Sequence, residues 1–180
     1  ELTVYETHIA DLTSSTTWNG TRANAKKLKG FYESGTTYTS GDVTVSTGFD
    51  HIKELGVNAV QILPFFDSAN NEISPSFNWG YNPLNYNAVD GSYSSNPYDG
   101  YVRIKEFKEL VKAYNEAGIN IIMDVVYNHV NGLEKSNFDV LMPGYYFRYN
   151  AGVASNGSGC GNETASEHYM FRKFMIDSTM

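Results

Sequence analysis

Residues 118–129 read GINIIMDVVYNH, and this stretch holds the pattern that decides the fold. Gly118 ends a helix-like segment, and residues 119–126 form an apolar run that only Asn120 and Asp124 interrupt. A short continuous apolar run of this kind is typical of a strand buried on both faces of a parallel sheet. Because the helix signal passes straight into the strand signal, the connection between them is predicted to be tight.

Two similar strand signals come earlier in the chain. Residues 4–9 (VYETHI) are rich in β-branched and aromatic side chains, and residues 57–63 (VNAVQIL) form an apolar run that Pro64 ends. The sequence therefore predicts three strands, at 4–9, 57–63 and 119–126.

Helix signals follow each of these strands. Residues 47–56 begin at a capping Thr47 and end at Gly56, and a longer helix begins at a capping Asp99 and ends at Gly118. A third begins with the capping-box pattern TASE at 164–167. The order of strands and helices predicts an α/β fold with parallel strands and right-handed crossovers. The predicted apolar faces of the first two helices are Phe49, Ile52 and Leu55, and Ile104, Phe107, Leu110, Val111 and Tyr114.

Long stretches without a helix or strand period follow the first two predicted strands and come soon after the third. They cover about 13–46, 64–98 and 131–163. The connections from helix to strand are short, so all of the elaboration is predicted at the carboxyl ends of the strands. In barrels and in open α/β sheets, that end carries the functional site. We find no internal repeat and no linker, so residues 1–180 are predicted to form one domain or part of a larger one.

Composition and charge narrow the classes of function. The net charge is −7, from 13 basic and 20 acidic residues, which argues against nucleic acid and against an anionic membrane surface as partners. No run approaches the ~18 apolar residues of a membrane span. The lone Cys160 allows no internal disulfide, and no zinc-binding pattern is present. The chain begins at Glu1 without an initiator Met or leader, which favours an excised piece of a longer protein.

One of the long loops is rich in aromatic residues. Residues 77–97 read FNWGYNPLNYNAVDGSYSSNP and include Trp79, Tyr81, Tyr86 and Tyr93. Tyrosine offers a flat apolar face with a polar tip, which suits sugars, since they present apolar CH faces and a rim of hydroxyls. Composition alone is equally consistent with a protein that is simply rich in tyrosine, at 14 residues.

Polar residues close the third predicted strand. Asp124, Asn128 and His129 would bring a carboxylate, an amide and an imidazole to one strand end. An Asp inside an apolar run needs a partner because burying a bare charge is costly. The alternative is structural: Asp124 accepts backbone N–H bonds and His129 packs in the core. The same two interpretations apply to His8 and Asp11 near the first strand.

Several motifs resemble those of type I pullulanases, which are α-1,6-glucan debranching enzymes of the alpha-amylase family. The segment 78–83 (NWGYNP) resembles their signature YNWGYDP, and 124–129 (DVVYNH) resembles the first conserved region of the family. The segments 5–11, 143–150 and 157–162 are also similar to pullulanase sequences. Two departures stand out: Phe77 replaces Tyr, and Asn82 replaces Asp.

The resemblance implies a (β/α)8 TIM barrel, of which this chain would supply the first three βα units. By analogy, Tyr81 stacks on the glucose bound just before the scissile bond, His129 binds the 6-hydroxyl of that glucose, and Asp124 is a supporting carboxylate. Trp79 and Tyr93 would line further sugar positions, although Trp79 is equally expected in the core. No cofactor is expected to be required; Asn128, a further candidate in the sugar site, matches a position that binds Ca²⁺ in many relatives.

The resemblance also implies that the chain alone is inactive. The family nucleophile follows the fourth strand and the acid follows the fifth, beyond Met180, and retaining glycosidases need both carboxyls about 5–5.5 Å apart. The expected partners are an α-glucan (pullulan, glycogen or branched maltodextrin) and the carboxyl-terminal half of the barrel, or a second copy that pairs through exposed sheet edges. A non-catalytic glucan-binding module is the alternative, and an unrelated flavodoxin-like binder is a third. A secreted, cell-surface or bacterial cytoplasmic location stays open.

Overall fold

The computed structural model describes residues 1–179, which form two compact units, each assembled from separate parts of the chain. The first unit contains residues 1–65, 70–79 and 89–124, and the second contains residues 66–69, 80–88 and 125 onward. The strands are β1 (Val4–Thr7), β2 (Thr37–Ser40), β3 (Val43–Ser46), β4 (Ala59–Ile62), β5 (Phe66–Ser68), β6 (Pro83–Val89), β7 (Asn120–Met123), β8 (Tyr149–Asn150) and β9 (Val153–Ala154). The helices are α1 (Leu28–Phe31), α2 (Gly48–Glu54), α3 (Gly100–Glu116), α4 (Asn137–Leu141) and α5 (Tyr169–Thr179).

The first unit is built on a three-stranded parallel sheet in the order β1-β4-β7. In its register, Thr7 pairs with Ile62 and Ile62 pairs with Met123, so these residues end their strands in one row. The parallel strands predicted from sequence are therefore present, although each is shorter than predicted. Asp124 lies just beyond β7 rather than inside the strand, which corrects the predicted extent of 119–126.

Helices α1, α2 and α3 pack with the sheet in the core of the first unit, and loop residues such as Ile9 and Phe65 complete it. Ile52 and Leu110 are fully buried, and the rings of Phe49 and Tyr114 contact each other with centroids 4.7 Å apart. The buried line of α3 is Glu106, Leu110 and Tyr114, one residue every four, as expected for one face of a helix.

Two residues assigned to apolar helix faces are exposed instead. Leu55 follows the last residue of α2, where the chain turns away at Gly56, and it is 47% exposed. Ile104 lies on the solvent-facing side of α3, together with the exposed Tyr101 and Lys105, and is 49% exposed. Periodicity identified the correct helices and most of their buried residues, and its errors are the last residue predicted for α2 and the first predicted for α3.

The connections from helix to strand are tight, as predicted. Gly56 and Gly118 have φ angles of 71° and 76°, in the left-handed region that glycine tolerates best. The Ile119 N–H then donates to the Tyr114 carbonyl oxygen at 2.9 Å, so the end of α3 leads directly into β7.

The three long loops are not irregular throughout. The first contains the antiparallel hairpin β2–β3, the second contains the paired strands β5 and β6, and the third contains α4 and the hairpin β8–β9. Most of these strands have two to four residues, too few to leave a readable period in the sequence. β6 is the exception, with seven residues. Its asparagines are more common in turns than in strands, so its sequence was interpreted as loop.

The second unit has an aromatic core around Tyr86 of β6. The Tyr86 ring contacts those of Tyr127, Phe138 and Phe174, with centroids 5.1, 6.0 and 6.2 Å away. The predicted capping box at 164–167 does not form, because the Thr164 hydroxyl donates to the Tyr127 carbonyl and the Glu167 carboxylate binds Arg148. Helix α5 consequently begins later, at Tyr169. No helix within residues 1–179 has the length and apolar character that a membrane span requires.

Candidate functional site

Predicted site residues follow the carboxyl ends of β1 and β7 in the first unit. His8 comes directly after β1, and Asp124 comes directly after β7. The Asp124 N–H donates to the Ile62 carbonyl at 3.0 Å, and its side chain is half-buried. Its role as a supporting carboxylate stays a prediction.

His8 is a buried residue that holds the aromatic segment by its backbone. Its Nδ1 atom faces the N–H groups of Ala10 and Asp11 at 3.2 and 3.4 Å, so Nδ1 acts as an acceptor. The proton is therefore on Nε2, which donates to the Asn78 carbonyl at 3.0 Å. The Tyr93 hydroxyl also lies 3.0 Å from Nε2.

The three aromatic residues of this unit that belong to loop 77–97 are exposed to very different degrees. Phe77 and Trp79 are 64% and 61% exposed, and their rings meet edge to face with centroids 6.5 Å apart. Trp79 is therefore not a core residue. Tyr93 is buried, and its ring packs edge to face against His8, so its predicted role in lining a sugar position stays a prediction without an exposed face to support it.

Tyr81 and His129 lie together in the second unit. Tyr81 is 42% exposed, whereas His129 is buried at 6%. Nε2 of His129 lies 2.8 Å from the Tyr81 carbonyl oxygen, which can only accept, so Nε2 carries a proton and donates it. Nδ1 lies 3.1 Å from Oδ1 of the Asn128 amide.

Strand β6 also holds the backbone around His129 through two hydrogen bonds. The Tyr86 hydroxyl donates to the His129 carbonyl at 2.6 Å, and the Asn131 N–H donates to the Pro83 carbonyl at 2.8 Å. Burial raises the pKa of the Tyr86 phenol, and nearby Tyr127 adds to the effect, so the hydroxyl keeps its proton as a donor. Burial, followed by the charges of Asp90 and Asp11, likewise raises the pKa of Tyr93.

The protein family of the chain follows from a comparison with family models. A model described as the alpha amylase catalytic domain matches residues 19–142, which is more than half of the sequence. The chain belongs to the alpha-amylase family. Within that family it is 42% identical to a pullulanase of Bacillus subtilis strain 168 over 178 residues, which cover 97% of this chain and 24% of the relative.

Solved structures of alpha-amylase family members point the same way. The pullulanase of Anoxybacillus sp. LM18-11 complexed with maltotetraose is 46% identical with a TM-score of 0.90, over 98% of this chain and 26% of that one. The pullulanase of Paenibacillus barengoltzii in complex with maltohexaose and alpha-cyclodextrin is 42% identical with a TM-score of 0.91, over 98% of this chain and 28% of that one. The chain thus spans about a quarter of these relatives.

These findings confirm the resemblance to pullulanases that the motifs indicated. They also show that the chain has part of an α/β barrel-type fold, decorated here with antiparallel strand pairs. Asn82 stands where the pullulanase signature has Asp. Its Oδ1 atom is buried and has no hydrogen-bond partner among residues 1–179.

The resemblance to the alpha-amylase family also suggests Asn128 as a ligand of a calcium ion. Asn128 borders a cavity of about 450 Å³ whose other polar lining includes Arg148, Ser158 and Glu163. Calcium takes about six to eight oxygen ligands. In the described part of the chain, no three His, Cys, Asp or Glu side chains gather as a metal site, and Glu163 is paired with Arg148. Calcium binding at Asn128 therefore stays a prediction, without an acidic cluster in the described residues to support it.

An ion pair that could not be predicted from the sequence braces the segment containing Tyr93. Arg103 of α3 binds Glu72 through both guanidinium nitrogens, at 2.7 and 2.9 Å. Glu72 also accepts the Gly91 N–H at 2.9 Å, and Arg103 donates to the carbonyl of Pro97 at 2.8 Å. No local pattern signals this pair, because its members are 31 positions apart.

Proposed function

We propose that this chain is the amino-terminal part of an α-glucan debranching glycoside hydrolase, supplying the first three βα units of its (β/α)8 barrel. The observation that carries the proposal is an exposed Tyr81 ring whose backbone is held by buried His129. The supporting context is 42–46% identity to pullulanases over nearly the whole chain.

In this proposal, Tyr81 is a stacking surface for a glucose unit. A half-exposed phenol ring offers an apolar face to the CH groups of a sugar, and fixing its backbone lowers the conformational entropy lost on binding. Trp79, the most exposed residue of the NWGYNP motif, would line a further sugar position.

In the proposal, His129 both holds the Tyr81 backbone and binds a sugar 6-hydroxyl. Its Nε2 proton is already donated to the Tyr81 carbonyl, so a sugar 6-hydroxyl would have to share that donor. Asp124 would brace neighbouring groups at the end of β7. Asn128 would orient the imidazole ring by donating from its amide NH2 group to Nδ1, with the amide turned over from the placement that puts Oδ1 3.1 Å from that atom.

The proposal assigns no nucleophile and no acid to this chain. It places both in the remainder of a longer protein, in keeping with relatives of which the chain spans about a quarter. The substrate would be an α-1,6-branched glucan such as pullulan, glycogen or branched maltodextrin. No step of the proposal involves calcium.

Reducing-sugar release from pullulan tests the proposal. The measurement compares the 180-residue chain with a version extended through the coding sequence that follows it, and it adds Tyr81→Ala to the extended version. We expect activity only in the extended version, and a loss of about tenfold or more in kcat/KM on Tyr81→Ala. Tyr101→Ala is the matched control, because Tyr101 of α3 is 84% exposed and lies outside the proposed site.

Two results would argue against the proposal. An inactive extended version that still binds maltotetraose would favour the non-catalytic glucan-binding module. Equal losses for Tyr81→Ala and Tyr101→Ala would remove Tyr81 from the substrate site.

A further inference from the structure

Three hydrogen bonds join Tyr81 and the strand that follows it, β6, to His129 and Asn131. His129 Nε2 donates to the Tyr81 carbonyl at 2.8 Å, and the Asn131 N–H donates to the Pro83 carbonyl at 2.8 Å. The Tyr86 hydroxyl closes the set by donating to the His129 carbonyl at 2.6 Å. All of these residues belong to the second compact unit.

Tyr86 is the rigid member of this set. It is buried in β6, and its ring is enclosed by those of Phe66, Tyr127, Phe138, Phe171 and Phe174 at centroid distances of 5.1 to 6.4 Å. A buried ring surrounded by other rings has little rotational freedom, so its hydroxyl points in a fixed direction.

The connection from Tyr86 to Tyr81 runs through His129. The Tyr86 hydroxyl fixes the His129 carbonyl, and the backbone of His129 fixes the imidazole that holds the Tyr81 carbonyl. Removing the hydroxyl would leave a buried carbonyl without its side-chain donor, and such groups relax towards other partners or water. A shift of His129 would then loosen the backbone of Tyr81.

We propose that Tyr86 is a positioning residue that acts through His129 to hold the Tyr81 ring in place for an α-glucan chain. The inference rests on the proposed function for its ligand, but its structural half does not. Tyr86 touches no sugar in this scheme. It reduces the motion of the residue that does.

The decisive variant is Tyr86→Phe, which removes one oxygen atom and keeps the ring. Tyr114→Phe is its matched control. Tyr114 is also fully buried, and its hydroxyl also donates to a backbone carbonyl, that of Phe31, at 2.9 Å. Tyr114 belongs to the first unit, and the proposal gives it no role in positioning Tyr81.

Two measurements are made on the full chain and both variants. Hydrogen–deuterium exchange follows the backbone amides of residues 80–82, and titration with maltotetraose gives Kd. We expect Tyr86→Phe to speed exchange at 80–82 severalfold and to weaken maltotetraose binding by about threefold to tenfold, which corresponds to one buried hydrogen bond. Tyr114→Phe is expected to lower stability by a similar amount and to leave both readouts unchanged.

The two readouts separate the inference from the proposed function. Unchanged exchange at 80–82 in Tyr86→Phe, or an equal change in Tyr114→Phe, overturns the positioning role whatever happens to the sugar. Faster exchange without any maltotetraose binding, even in the unaltered chain, keeps the coupling of Tyr86 to Tyr81 and overturns the glucan as its purpose.

Discussion

At the level of single residues, two buried histidines perform the same task in the two compact units. His8 donates from Nε2 to the Asn78 carbonyl at 3.0 Å, and His129 donates from Nε2 to the Tyr81 carbonyl at 2.8 Å. Both carbonyls belong to the NWGYNP motif, whose rings are exposed. A loop with exposed apolar rings has little packing of its own, so hydrogen bonds to buried side chains are the available means of ordering it.

Removing the Tyr93 hydroxyl should weaken the first of these arrangements. Tyr93→Phe deletes the group that lies 3.0 Å from His8 Nε2 in a buried environment. We expect a loss of about 0.5–1.5 kcal/mol in the free energy of unfolding, the usual value of one buried hydrogen bond. Urea denaturation measures it, and Tyr98→Phe serves as the control because Tyr98 is 82% exposed. Equal midpoints for the two variants would show that the hydroxyl contributes nothing.

The motif resemblance predicted the proximity of Tyr81 and His129, because both belong to short segments with a recognisable family pattern. It did not predict that His129 would be bound to the Tyr81 backbone. The tyrosine hydroxyls that complete both arrangements lie 85 and 43 positions from their partners. A single sequence carries no signal for a contact of that range, so these residues could be found only from the structure.

At the level of elements, a close backbone approach rather than periodicity fixes the packing of α1. A Cβ atom added at Gly30 of α1 would lie 2.3 Å from the carbonyl oxygen of Asn24. That oxygen is part of the backbone and cannot rotate away. The tight packing of α1 against the preceding turn therefore depends on glycine.

Substituting Gly30 should be costly for this reason. We expect Gly30→Ala to lower the free energy of unfolding by about 1–3 kcal/mol through overpacking. Gly100→Ala is the matched control, since a Cβ at the first residue of α3 meets no atom within 4 Å. The control should be neutral or slightly stabilising. A Gly30→Ala variant as stable as Gly100→Ala would mean that Asn24 yields easily.

Arg148 joins the start of the β8–β9 hairpin to the segment before α5, and it makes stability depend on pH. Its guanidinium binds the carboxylates of Glu163 and Glu167, each at 2.5 Å. The hydrogen bonds from Arg148 lower the pKa of Glu167 from 4.5 to about 2. Hydrogen bonds from Ser155 and then Arg148 lower the pKa of Glu163.

The sign of the pH effect follows from these lowered pKa values. The stabilising contribution of Glu167 is fully present above pH 4.5 and is lost as the pH falls towards about 2. Arg148→Gln should therefore flatten the pH dependence of the urea midpoint in that window. High salt should reduce the effect, because the pair is at the surface. Lys112→Gln, in an exposed pair on α3, is the control, and an identical slope in both variants would contradict the assignment.

Sequence patterns located all three parallel strands from their apolar and β-branched runs, and the helices α2 and α3 from their apolar spacing and glycine ends. The patterns could not place Glu106, a charged residue in the middle of the buried line of α3. Its carboxylate accepts hydrogen bonds from the N–H and hydroxyl groups of Ser95, and it forms an ion pair with Lys29, whose Nζ lies 3.5 Å away. Such compensation depends on tertiary contacts, so a hydrophobic period cannot reveal it.

At the level of the whole molecule, the chain is a portion of an α/β barrel-type fold in which β1 and β7 are the edges of the sheet in the described residues. Sheet edges carry unpaired backbone groups that accept further strands. The same chain spans about a quarter of its pullulanase relatives. Both facts agree with the proposal that the carboxyl-terminal half of a barrel, or a second copy, pairs with these edges.

The most direct measurement is titration of the full chain with maltotetraose, with and without Tyr81→Ala. If the exposed phenol ring is the stacking surface for glucose, the substitution weakens binding by about tenfold or more, while Tyr101→Ala leaves Kd unchanged. An equal Kd for Tyr81→Ala and the unaltered chain would contradict the proposal that this aromatic segment recognises α-glucan.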